Sequence, residues 1–256
     1  MTASQIALVT GAAGGFGTAI CASLLEVGYH VVATDINIDA LEGLIERLEH
    51  PANLTYMQMD VCDLDSVQEV VDTIEQRENA SLSVLINNAG IISKNFCLQE
   101  NSTIDAKKII DVNLIGAINC ASIVSRVMGR QRYGRIINIA SVAGIWGASG
   151  GSAYAASKAG LIKASESWAR ELGPLNIVVT AIAPGICVTD MLGKFVSKDQ
   201  VPKTGESKIV KSIVPTGRLG NPNDVSEVVT FLATCKTDYI NGTVIALDGG
   251  MRVGQL

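Results

Sequence analysis

Short runs of β-branched residues alternate with longer amphipathic stretches along almost the whole chain. The runs predict strands at residues 6–10, 31–35, 54–59, 83–86, 135–140, 176–182 and 242–247. The stretches between them predict helices at 15–28, about 39–49, 63–78, about 103–131, 151–172 and from Asn221 onwards. Strands that alternate with helices in this way build a parallel sheet covered on both faces. We therefore expect an α/β fold with a doubly wound parallel sheet of about seven strands.

The length of 256 residues is within what one hydrophobic core can organise. We expect a single domain over residues 1–256, because no repeat or linker divides the chain. The stretch at about 185–216 is too long for an ordinary connection, and loops of that length commonly close over a site. We expect this stretch to form a substrate lid.

Charge and apolar patterning argue against a nucleic acid or a membrane as a partner. The formal net charge is −5, and the sequence has no basic block. No uninterrupted apolar stretch approaches the about 20 residues that span a bilayer. The amino terminus lacks the basic start and apolar run of a secretory signal. We therefore expect a cytoplasmic protein.

The cysteines and histidines are not spaced for a metal site. Six cysteines lie far apart without a C-x-x-C pair, and His30 and His50 form no cluster with them. Metal sites and disulfide frameworks both need tight, repeated spacing. We expect no metal, and we expect the cysteines to be small core residues in a reducing compartment.

A glycine-rich segment, Thr10 to Gly17, lies between the first predicted strand and the first predicted helix. Glycines there let the backbone turn tightly and approach a pyrophosphate, which then faces the helix amino terminus. A glycine cluster alone is almost as typical of a plain turn. Its position after the first of many alternating strands favours a Rossmann-type NAD(P)-binding domain.

Asp35 ends the second predicted strand. An acidic side chain there can accept hydrogen bonds from both adenosine ribose hydroxyls, and it repels a 2′-phosphate. No Arg or Lys occurs between Gly11 and Arg47 to bind such a phosphate. The sequence therefore favours NAD over NADP, although a solvated aspartate at a strand end would give the same pattern. Asp60 ends the third strand and is placed to meet the adenine edge.

Tyr154 and Lys158 are four residues apart on a predicted helix, so that both lie on one face. A free tyrosine titrates near pH 10, about three pH units too high for efficient proton exchange at neutral pH. A neighbouring lysine charge and a positive nicotinamide ring lower that pKa by favouring the phenolate. Ser141 follows the fifth strand and can donate a hydrogen bond to a substrate oxygen. Such a Tyr–Lys pair occurs by chance in many helices, so its weight depends on the surrounding motifs.

Taken together, the motifs resemble the short-chain dehydrogenase/reductase family from end to end, in its compact branch of about 250 residues. In chain order they are T-G-x-x-x-G-x-G at 10–17, Asp35, Asp60, N-N-A-G at 87–90, Asn113, Ser141, Y-x-x-x-K at 154–158, Pro184-Gly185 with Thr189, and N-G-x-x-x-x-x-D-G-G at 241–250. Gly14 and Gly15 also fit T-G-x-x-G-x-x-G of the longer branch. That branch carries a larger carboxy-terminal region, and the chain ends six residues after Gly250, which favours the compact branch.

The resemblance implies an oxidoreductase that interconverts a secondary alcohol and a ketone by hydride transfer, with NAD as the cofactor that Asp35 favours. It implies that Tyr154 is the acid or base, that Ser141 orients the substrate oxygen, that Lys158 holds the nicotinamide ribose and tunes Tyr154, and that Asn113 supports a water chain. The implied cofactor contacts are Gly11, Gly14, Gly15, Phe16, Gly17, Asp35, Ile36, Asp60, Val61, Asn88, Ala89, Gly90, Tyr154, Lys158, Pro184, Gly185, Cys187 and Thr189.

The expected substrate contacts are mainly apolar, which suggests a hydrophobic or cyclic alcohol or ketone and leaves polyols open. They are Ser141, Ala143, Trp146, Tyr154 and Met191. Trp146 fits a core or interface anchor equally well. The predicted helix at 103–131 is apolar nearly all round and needs a cover besides its own sheet. Together with the family resemblance, this implies a homotetramer.

Two other functions stay open. The first is an NADPH-dependent 3-oxoacyl-[acyl-carrier-protein] reductase, against which Asp35 counts. A basic patch for docking the carrier could come from the arginines at 126, 130, 132 and 135, although a solvated helix end is the simpler account. The second is a catalytically silent binding protein on the same fold. The joint presence of Asn113, Ser141, Tyr154 and Lys158 counts against it.

Overall fold

The computed structural model describes residues 4–77, 79–92, 98, 103–189 and 208–253. In these residues, seven strands form one sheet in the order β3-β2-β1-β4-β5-β6-β7, and all neighbouring pairs are parallel. The strands are β1 Ser4–Thr10, β2 His30–Asp35, β3 Leu54–Gln58, β4 Ala80–Asn87, β5 Gly134–Ile139, β6 Ile177–Pro184 and β7 Val244–Leu247. The predicted Rossmann-type sheet is confirmed.

Helices cover both faces of the sheet. They are α1 Gly15–Glu26, α2 Ile38–Arg47, α3 Leu64–Glu75, α4 Thr103–Ile110, α5 Gly116–Gln131, α6 Ala143–Trp146, α7 Ser152–Leu172, α8 Lys208–Ile213 and α9 Pro222–Thr234. Successive strand side chains point to opposite faces. Ile136 belongs to the core with α3, α5 and α7, whereas Ile137 belongs to the core with α1, α2 and α9. The result is a three-layer α/β/α arrangement.

The predicted helix at 103–131 is two α-helices joined by a π-helical segment, Asp111–Ile115. Helix α4 precedes this segment and α5 follows it. A Cβ on Gly116 would lie 2.5 Å from Cγ2 of Val61, so a glycine lets α5 approach the loop after β3. Single π-helical turns inside α-helices are frequent at functional sites. Asn113 lies within this turn.

Two short helices were not expected from the sequence. Helix α6 contains Ala143 and Trp146, two of the expected substrate contacts, and α8 lies within the predicted lid at 185–216. Residues 190–207 of that lid are outside the described residues. Helices of four and six residues are too short to display a helical period of apolar residues. The lid and the single-domain organisation stay predictions.

The helical span Ile104–Gln131 is long and apolar enough to cross a membrane by length and composition alone. Half of its most apolar window is buried inside the protein, and the core helix of a soluble protein passes the same test. Ile109, Val124 and Met128 pack inside the chain, whereas Ile115 and Ile118 stay exposed. The apolar surface of this helix is therefore only partly covered by its own fold.

Two expectations about polar residues need correction. Arg135 is buried, and its guanidinium donates to the carbonyl oxygen of Cys235, so it cannot join a basic surface patch. Cys21 and Cys120 are fully buried, as predicted, but Cys62 is exposed. Cys62 lies in the loop after β3, where its backbone N–H donates to Asp60, and that turn leaves the thiol in solvent.

Candidate active site

A cleft of about 340 Å³ lies at the carboxyl ends of β1, β2, β4 and β5. In an open parallel sheet this edge is where ligands bind, at the point where the strand order reverses. Here the order reverses between β1 and β4. Most of the predicted cofactor contacts line the cleft, namely Gly11, Gly14, Gly15, Phe16, Asp35, Ile36, Asp60, Val61, Asn88, Ala89, Gly90, Tyr154, Lys158 and Thr189.

The glycine-rich loop has the close contacts that only glycine permits. Gly11 has a φ of +62°, and a Cβ there would lie 2.7 Å from Cα of Ala89. A Cβ on Gly17 would overlap the carbonyl oxygen of Gly11, so Gly17 packs the first turn of α1 against the loop instead of lining the cleft. The amino terminus of α1 therefore opens on the cleft, where its free N–H groups can bind a pyrophosphate.

Asn88 holds this loop in place. Its Nδ2 donates to the carbonyl oxygens of Thr10 and Gly11, both at 2.9 Å. The Thr10 hydroxyl in turn accepts from the backbone N–H groups of Asn88 and Ala89, at 3.1 and 3.0 Å. The side chain of Asn88 thus joins the end of β4 to the loop after β1, and its amide donors are already engaged within the protein.

Asp35 lies at the end of the cleft expected to hold adenosine. Its Oδ2 accepts from the backbone N–H of Ala13 at 3.3 Å, and its Oδ1 accepts from that of Asn37 at 3.1 Å. These contacts fix the carboxylate at the tip of β2. The basic side chains among the described residues lining the cleft are Lys108 and Lys158.

Asp60 is also fixed by its own loop. Its Oδ1 accepts from the backbone N–H of Cys62 at 2.9 Å, and its backbone N–H donates to the Ser66 hydroxyl at 3.1 Å. This turn holds the Asp60 carboxylate and Val61 at the wall of the cleft. The arrangement can present a hydrogen-bond acceptor to an adenine amino group.

Tyr154 is hydrogen-bonded to the side chain of Ser141. Burial raises the pKa of Tyr154, and the Ser141 hydroxyl lowers it by a smaller amount. Ser141 is held in turn, because its Oγ accepts from the backbone N–H of Ala143 at 3.1 Å. The Ser141 hydroxyl, in the loop after β5, and the phenol of α7 therefore meet beside the cleft, which Tyr154 lines.

Lys158 lies one helical turn after Tyr154 and is 4% exposed. Its Nζ donates to the carbonyl oxygen of Ile139 at 2.8 Å and lies 5.8 Å from the centre of the Tyr154 ring. Burial lowers the pKa of Lys158 to about 8. In the protein alone, the Ser141 hydroxyl lowers the pKa of Tyr154, and the predicted tuning of Tyr154 by Lys158 stays a prediction.

Asn113 is fully buried beside this group. Its Oδ1 accepts from the backbone N–H of Ile91 at 2.7 Å, and its Nδ2 donates to the Ile91 carbonyl oxygen at 2.9 Å and to the Ser157 hydroxyl at 3.1 Å. The Ser157 hydroxyl donates to the Tyr154 carbonyl oxygen at 2.7 Å. Asn113 therefore ties the loop after β4 to α7, which leaves at most one lone pair of its Oδ1 for a water.

Several predicted residues do not line the cleft. Gly185 packs against Asp248, with its N–H donating to the Leu247 carbonyl oxygen at 2.9 Å. The Cys187 side chain belongs to the core around α1 and α9. The predicted residues Pro184, Ala143 and Trp146 are also not among the described residues that line it, and neither are the predicted catalytic residues Asn113 and Ser141. Met191 lies outside the described residues.

The cleft also has lining residues that sequence reasoning missed. They are Met59, Lys108, Val112, Ile139 and Ala140. Most of them are apolar and have the same sequence appearance as core residues. Lys108 lies on α4, and Val112 lies in the π-helical segment that follows it. The predicted role of Asn113, one residue later, was the signal that could have found them.

Comparisons with known proteins agree with this geometry. The chain matches the short chain dehydrogenase family over residues 5–200. The 3-oxoacyl-[acyl-carrier-protein] reductase FabG of Thermotoga maritima is 38% identical over 250 residues, which cover 97% of this chain and 98% of that protein. FabG of Escherichia coli is 36% identical over 247 residues, which cover 96% and 97%.

Two solved structures are also similar. Gox2181 has a TM-score of 0.89 and 28% identity, covering 98% of this chain and 96% of that one. ElxO with NADP bound has a TM-score of 0.87 and 30% identity, covering 98% and 99%. The chain therefore belongs to the short-chain dehydrogenase family of oxidoreductases.

Proposed function

We propose that this protein interconverts a 3-oxoacyl thioester and the corresponding 3-hydroxyacyl thioester, using NAD(H). The observation that supports this most is that Tyr154 and Lys158 line a cleft together with a glycine-rich loop and Asp35, and that the Ser141 side chain is hydrogen-bonded to Tyr154. A hydroxyl, a phenol and an ammonium are the groups needed to bind a carbonyl oxygen and to exchange one proton with it.

A nicotinamide cofactor would supply or accept the hydride when bound, and side chains of the protein exchange the proton with the substrate oxygen. In reduction, the Tyr154 hydroxyl gives its proton to the carbonyl oxygen of the substrate, and in oxidation the phenolate takes the hydroxyl proton back. Ser141 donates a hydrogen bond to that oxygen. Lys158 is positioned to bind the nicotinamide ribose while its own site stays largely dry, and Asn113 supports the water that returns protons to solvent.

The fixed carboxylate of Asp35 supports NAD over NADP. It would bind the two ribose hydroxyls and would repel a 2′-phosphate at the same place. Among the described residues lining the cleft, no arginine is available to offset that repulsion. The similar protein ElxO, by contrast, has NADP bound, and Asp35→Ala tests which of the two cofactors this chain prefers.

The thioester substrate is proposed from the relatives together with the surface beside Tyr154. The relatives described above reduce 3-oxoacyl groups, as their names state. Ile145 and Trp146 are both about two-fifths exposed on α6, which follows Ser141. An exposed apolar surface on the helix that follows Ser141 suits an acyl chain. The general secondary-alcohol dehydrogenase is the alternative function, because simple alcohols fit the same site.

Docking of a carrier protein has less support. Of the four arginines considered for a basic patch, Arg135 is buried, and Arg130 is paired with Glu75. Arg126 and Arg132 remain exposed. A coenzyme A thioester is therefore the first substrate to test, because it presents the same 3-oxoacyl thioester without a carrier protein.

We also propose a homotetramer in the cytoplasm. Exposed Ile115 and Ile118 beside the buried face of α5 support an additional cover by a neighbouring subunit. The cysteines described in the structure are all free thiols, which suits a reducing compartment.

The test is turnover by the purified protein. Acetoacetyl-coenzyme A with NADH is compared with a panel of ketones, and secondary alcohols with NAD are assayed in reverse. We expect NADH oxidation with the thioester, and we expect Tyr154→Phe to abolish turnover while it retains NADH binding. Activity on alcohols alone would favour the alternative, and full activity of Tyr154→Phe would remove the phenol from the mechanism.

Cofactor preference is tested by Asp35→Ala. With the carboxylate removed, the repulsion of a 2′-phosphate disappears, so we expect the ratio of kcat/KM for NADH over NADPH to fall by about tenfold or more. Asp39→Ala, on the exposed side of α2, is the control. An unchanged ratio in Asp35→Ala would show that Asp35 does not select the cofactor.

A further inference from the structure

A chain of polar side chains crosses the otherwise apolar core between the sheet and the helices α5 and α7. It consists of Asn87 on β4, Asn138 on β5 and Ser165 on α7, which are 3%, 0% and 1% exposed. None of these residues lines the cleft described above. A buried polar side chain is costly unless it is hydrogen-bonded, so apolar residues could fill these positions at lower cost.

Asn138 is the centre of this chain. Its Oδ1 accepts from Nδ2 of Asn87 at 2.8 Å, and its Nδ2 donates to the Ser165 hydroxyl at 2.7 Å. The Ser165 hydroxyl also donates to the carbonyl oxygen of Leu161, one turn earlier in α7, at 2.7 Å. Asn87 Nδ2 also reaches the Ala117 carbonyl oxygen at 3.4 Å. The Asn138 side chain thus links β5 directly to β4 and α7, and it reaches α5 through Asn87.

Each of these elements carries part of the site. Strand β5 leads to Ser141, α7 carries Tyr154 and Lys158, and β4 leads into the loop that holds the glycine-rich segment. Asn87 and Asn138 are directly paired across the two strands. The geometry of the site therefore depends on how α7 is seated on β5.

Two cross-links join α7 to β5, and they start from adjacent residues of the strand. Asn138 bonds to Ser165, and the carbonyl oxygen of Ile139 accepts from Nζ of Lys158. Lys158 and Ser165 are seven residues apart, about two turns of α-helix, so both face the strand. Two cross-links two turns apart restrain both the translation and the rotation of α7, which one cross-link could not do.

We propose that Asn138, acting through Ser165, is a positioning residue that sets the Ser141 hydroxyl at hydrogen-bond distance from the Tyr154 phenol. This inference rests on the proposed function, because it assumes that the Ser141–Tyr154 pair is the reacting pair. Asn138 touches neither substrate nor cofactor, and its effect reaches the site through the placement of α7.

The test compares Asn138→Ala, Ser165→Ala and the double variant with the wild type. Ser165→Ala removes one hydroxyl and keeps the volume nearly unchanged, so it remains informative where Asn138→Ala does not fold. We expect each single variant to lose about tenfold in kcat, because small displacements of reacting groups are costly, with KM changed by less than about threefold. The double variant should lose no more than the worse single variant, since both remove one link.

A second measurement needs no substrate. The tyrosinate absorbance is titrated against pH, and subtraction of the Tyr154→Phe curve isolates Tyr154. Loosening of the Ser141–Tyr154 hydrogen bond removes the influence that lowers the pKa of Tyr154. We therefore expect the midpoint to move to higher pH in both single variants.

Asn241→Ala is the matched control. The Asn241 amide also joins α7 to the sheet, accepting from the Val179 N–H and donating to the Ala169 carbonyl oxygen, both at 2.8 Å. It does so at the end of α7 far from Tyr154. We expect this variant to lower the melting temperature with an unchanged tyrosinate midpoint and an unchanged kcat.

The two hypotheses fail in distinguishable ways. Absence of turnover by the wild type on every substrate would count against the proposed function, while the titration still tests the placement of Tyr154. An unshifted midpoint in both single variants, or an equal shift in Asn241→Ala, would overturn the positioning role of Asn138.

Discussion

At the scale of single residues, the Tyr154 phenol is subject to two opposing influences. Burial raises its pKa, and the hydrogen bond with Ser141 opposes that rise. The Lys158 ammonium is bonded to the Ile139 carbonyl oxygen instead of the phenol. In the protein alone, the Ser141 hydroxyl is therefore the hydrogen-bonding group that lowers the pKa of Tyr154, while Lys158 Nζ lies 5.8 Å from the centre of its ring.

This arrangement predicts the effect of Ser141→Ala on pH dependence. Removal of the hydroxyl takes away the influence that lowers the pKa of Tyr154, so that pKa rises further. Alcohol oxidation needs the phenolate, and we expect the ascending limb of its kcat against pH to move to higher pH. The pH profile of alcohol oxidation checks this. A limb that stays in place, or moves to lower pH, would contradict it.

Replacing Lys158 with an uncharged side chain should stabilise the fold and abolish activity. Its pKa falls from 10.5 to about 8 in the folded state because of burial. The unfolded chain thus binds more protons between these values, so this residue destabilises the fold at neutral pH, and stability rises as pH increases through that interval. The cost corresponds to about 3 kcal/mol at neutral pH, since one pH unit is about 1.4 kcal/mol.

We therefore expect Lys158→Met to abolish turnover and to raise the free energy of unfolding at neutral pH by about 2 kcal/mol, after a loss of about 1 kcal/mol for the bond to Ile139. Urea denaturation at neutral and alkaline pH measures this, and the gain should shrink as pH rises. Lys163→Met, on the exposed side of α7, is the control. A loss of stability in Lys158→Met at neutral pH would contradict the account.

At the scale of elements, the strands and most helices follow from the sequence for a simple reason. Strands buried on both faces are continuous β-branched runs, and the helices between them need one apolar stripe. The π-helical turn cannot be predicted in this way. The residues around Asn113 are apolar on several sides of the helix, so the apolar pattern looks the same with or without one extra residue in the turn.

A site residue can be predicted from the sequence where a polar side chain interrupts an apolar strand or helix. Asp35 at the tip of β2 and Tyr154 on α7 are such residues, and both lie at the cleft. Met59 and Ala140 line the same cleft, but an apolar residue at a strand end looks the same whether it meets a ligand or the core. The role of Asn88 as a brace depends on contacts with Thr10, 78 positions earlier in the chain, which no local pattern reveals.

One cluster joins β2, β3 and the end of α3, and it predicts a pH effect on stability. His30 Nε2 lies 2.6 Å from Nη1 of Arg77 and 2.9 Å from the Thr55 hydroxyl. Because Arg77 can only donate, the imidazole accepts and must be neutral. Burial and the Arg77 charge lower the pKa of His30.

A histidine with a lowered pKa in the folded state contributes stability above the unfolded pKa, and that stability is lost as pH falls through the folded value. We expect the wild type to lose stability between about pH 7 and pH 5, and His30→Gln to lose less over the same range. Urea denaturation at a series of pH values measures the difference. His50→Gln is the control, and equal slopes for His30→Gln and the wild type would refute the link to this cluster.

At the scale of the whole molecule, the remaining apolar surface of the long helical span bears on assembly. Ile118 is 36% exposed and Ile115 is 41% exposed, although both neighbour the buried face of α5. If a second subunit covers them, a charge placed there is left buried and unpaired. We expect Ile118→Asp to convert the proposed tetramer into smaller species, as measured by light scattering after gel filtration.

Val27→Asp is the matched control for assembly, because Val27 is exposed at the end of α1, on the opposite face of the sheet. We expect its mass in solution to equal that of the wild type. A wild-type monomer, or an unchanged assembly in Ile118→Asp, would disprove the interface.

The extra residue in the turn Asp111–Ile115 also constrains which insertions and deletions this chain can accept. Deleting one residue there would restore a regular α-helix and rotate everything before it by about 100° relative to α5. Asn113 would then swing away from Ile91 and Ser157, and the Lys108 side of α4 would leave the cleft. The register of the site therefore depends on the number of residues in this turn, whatever residues occupy it.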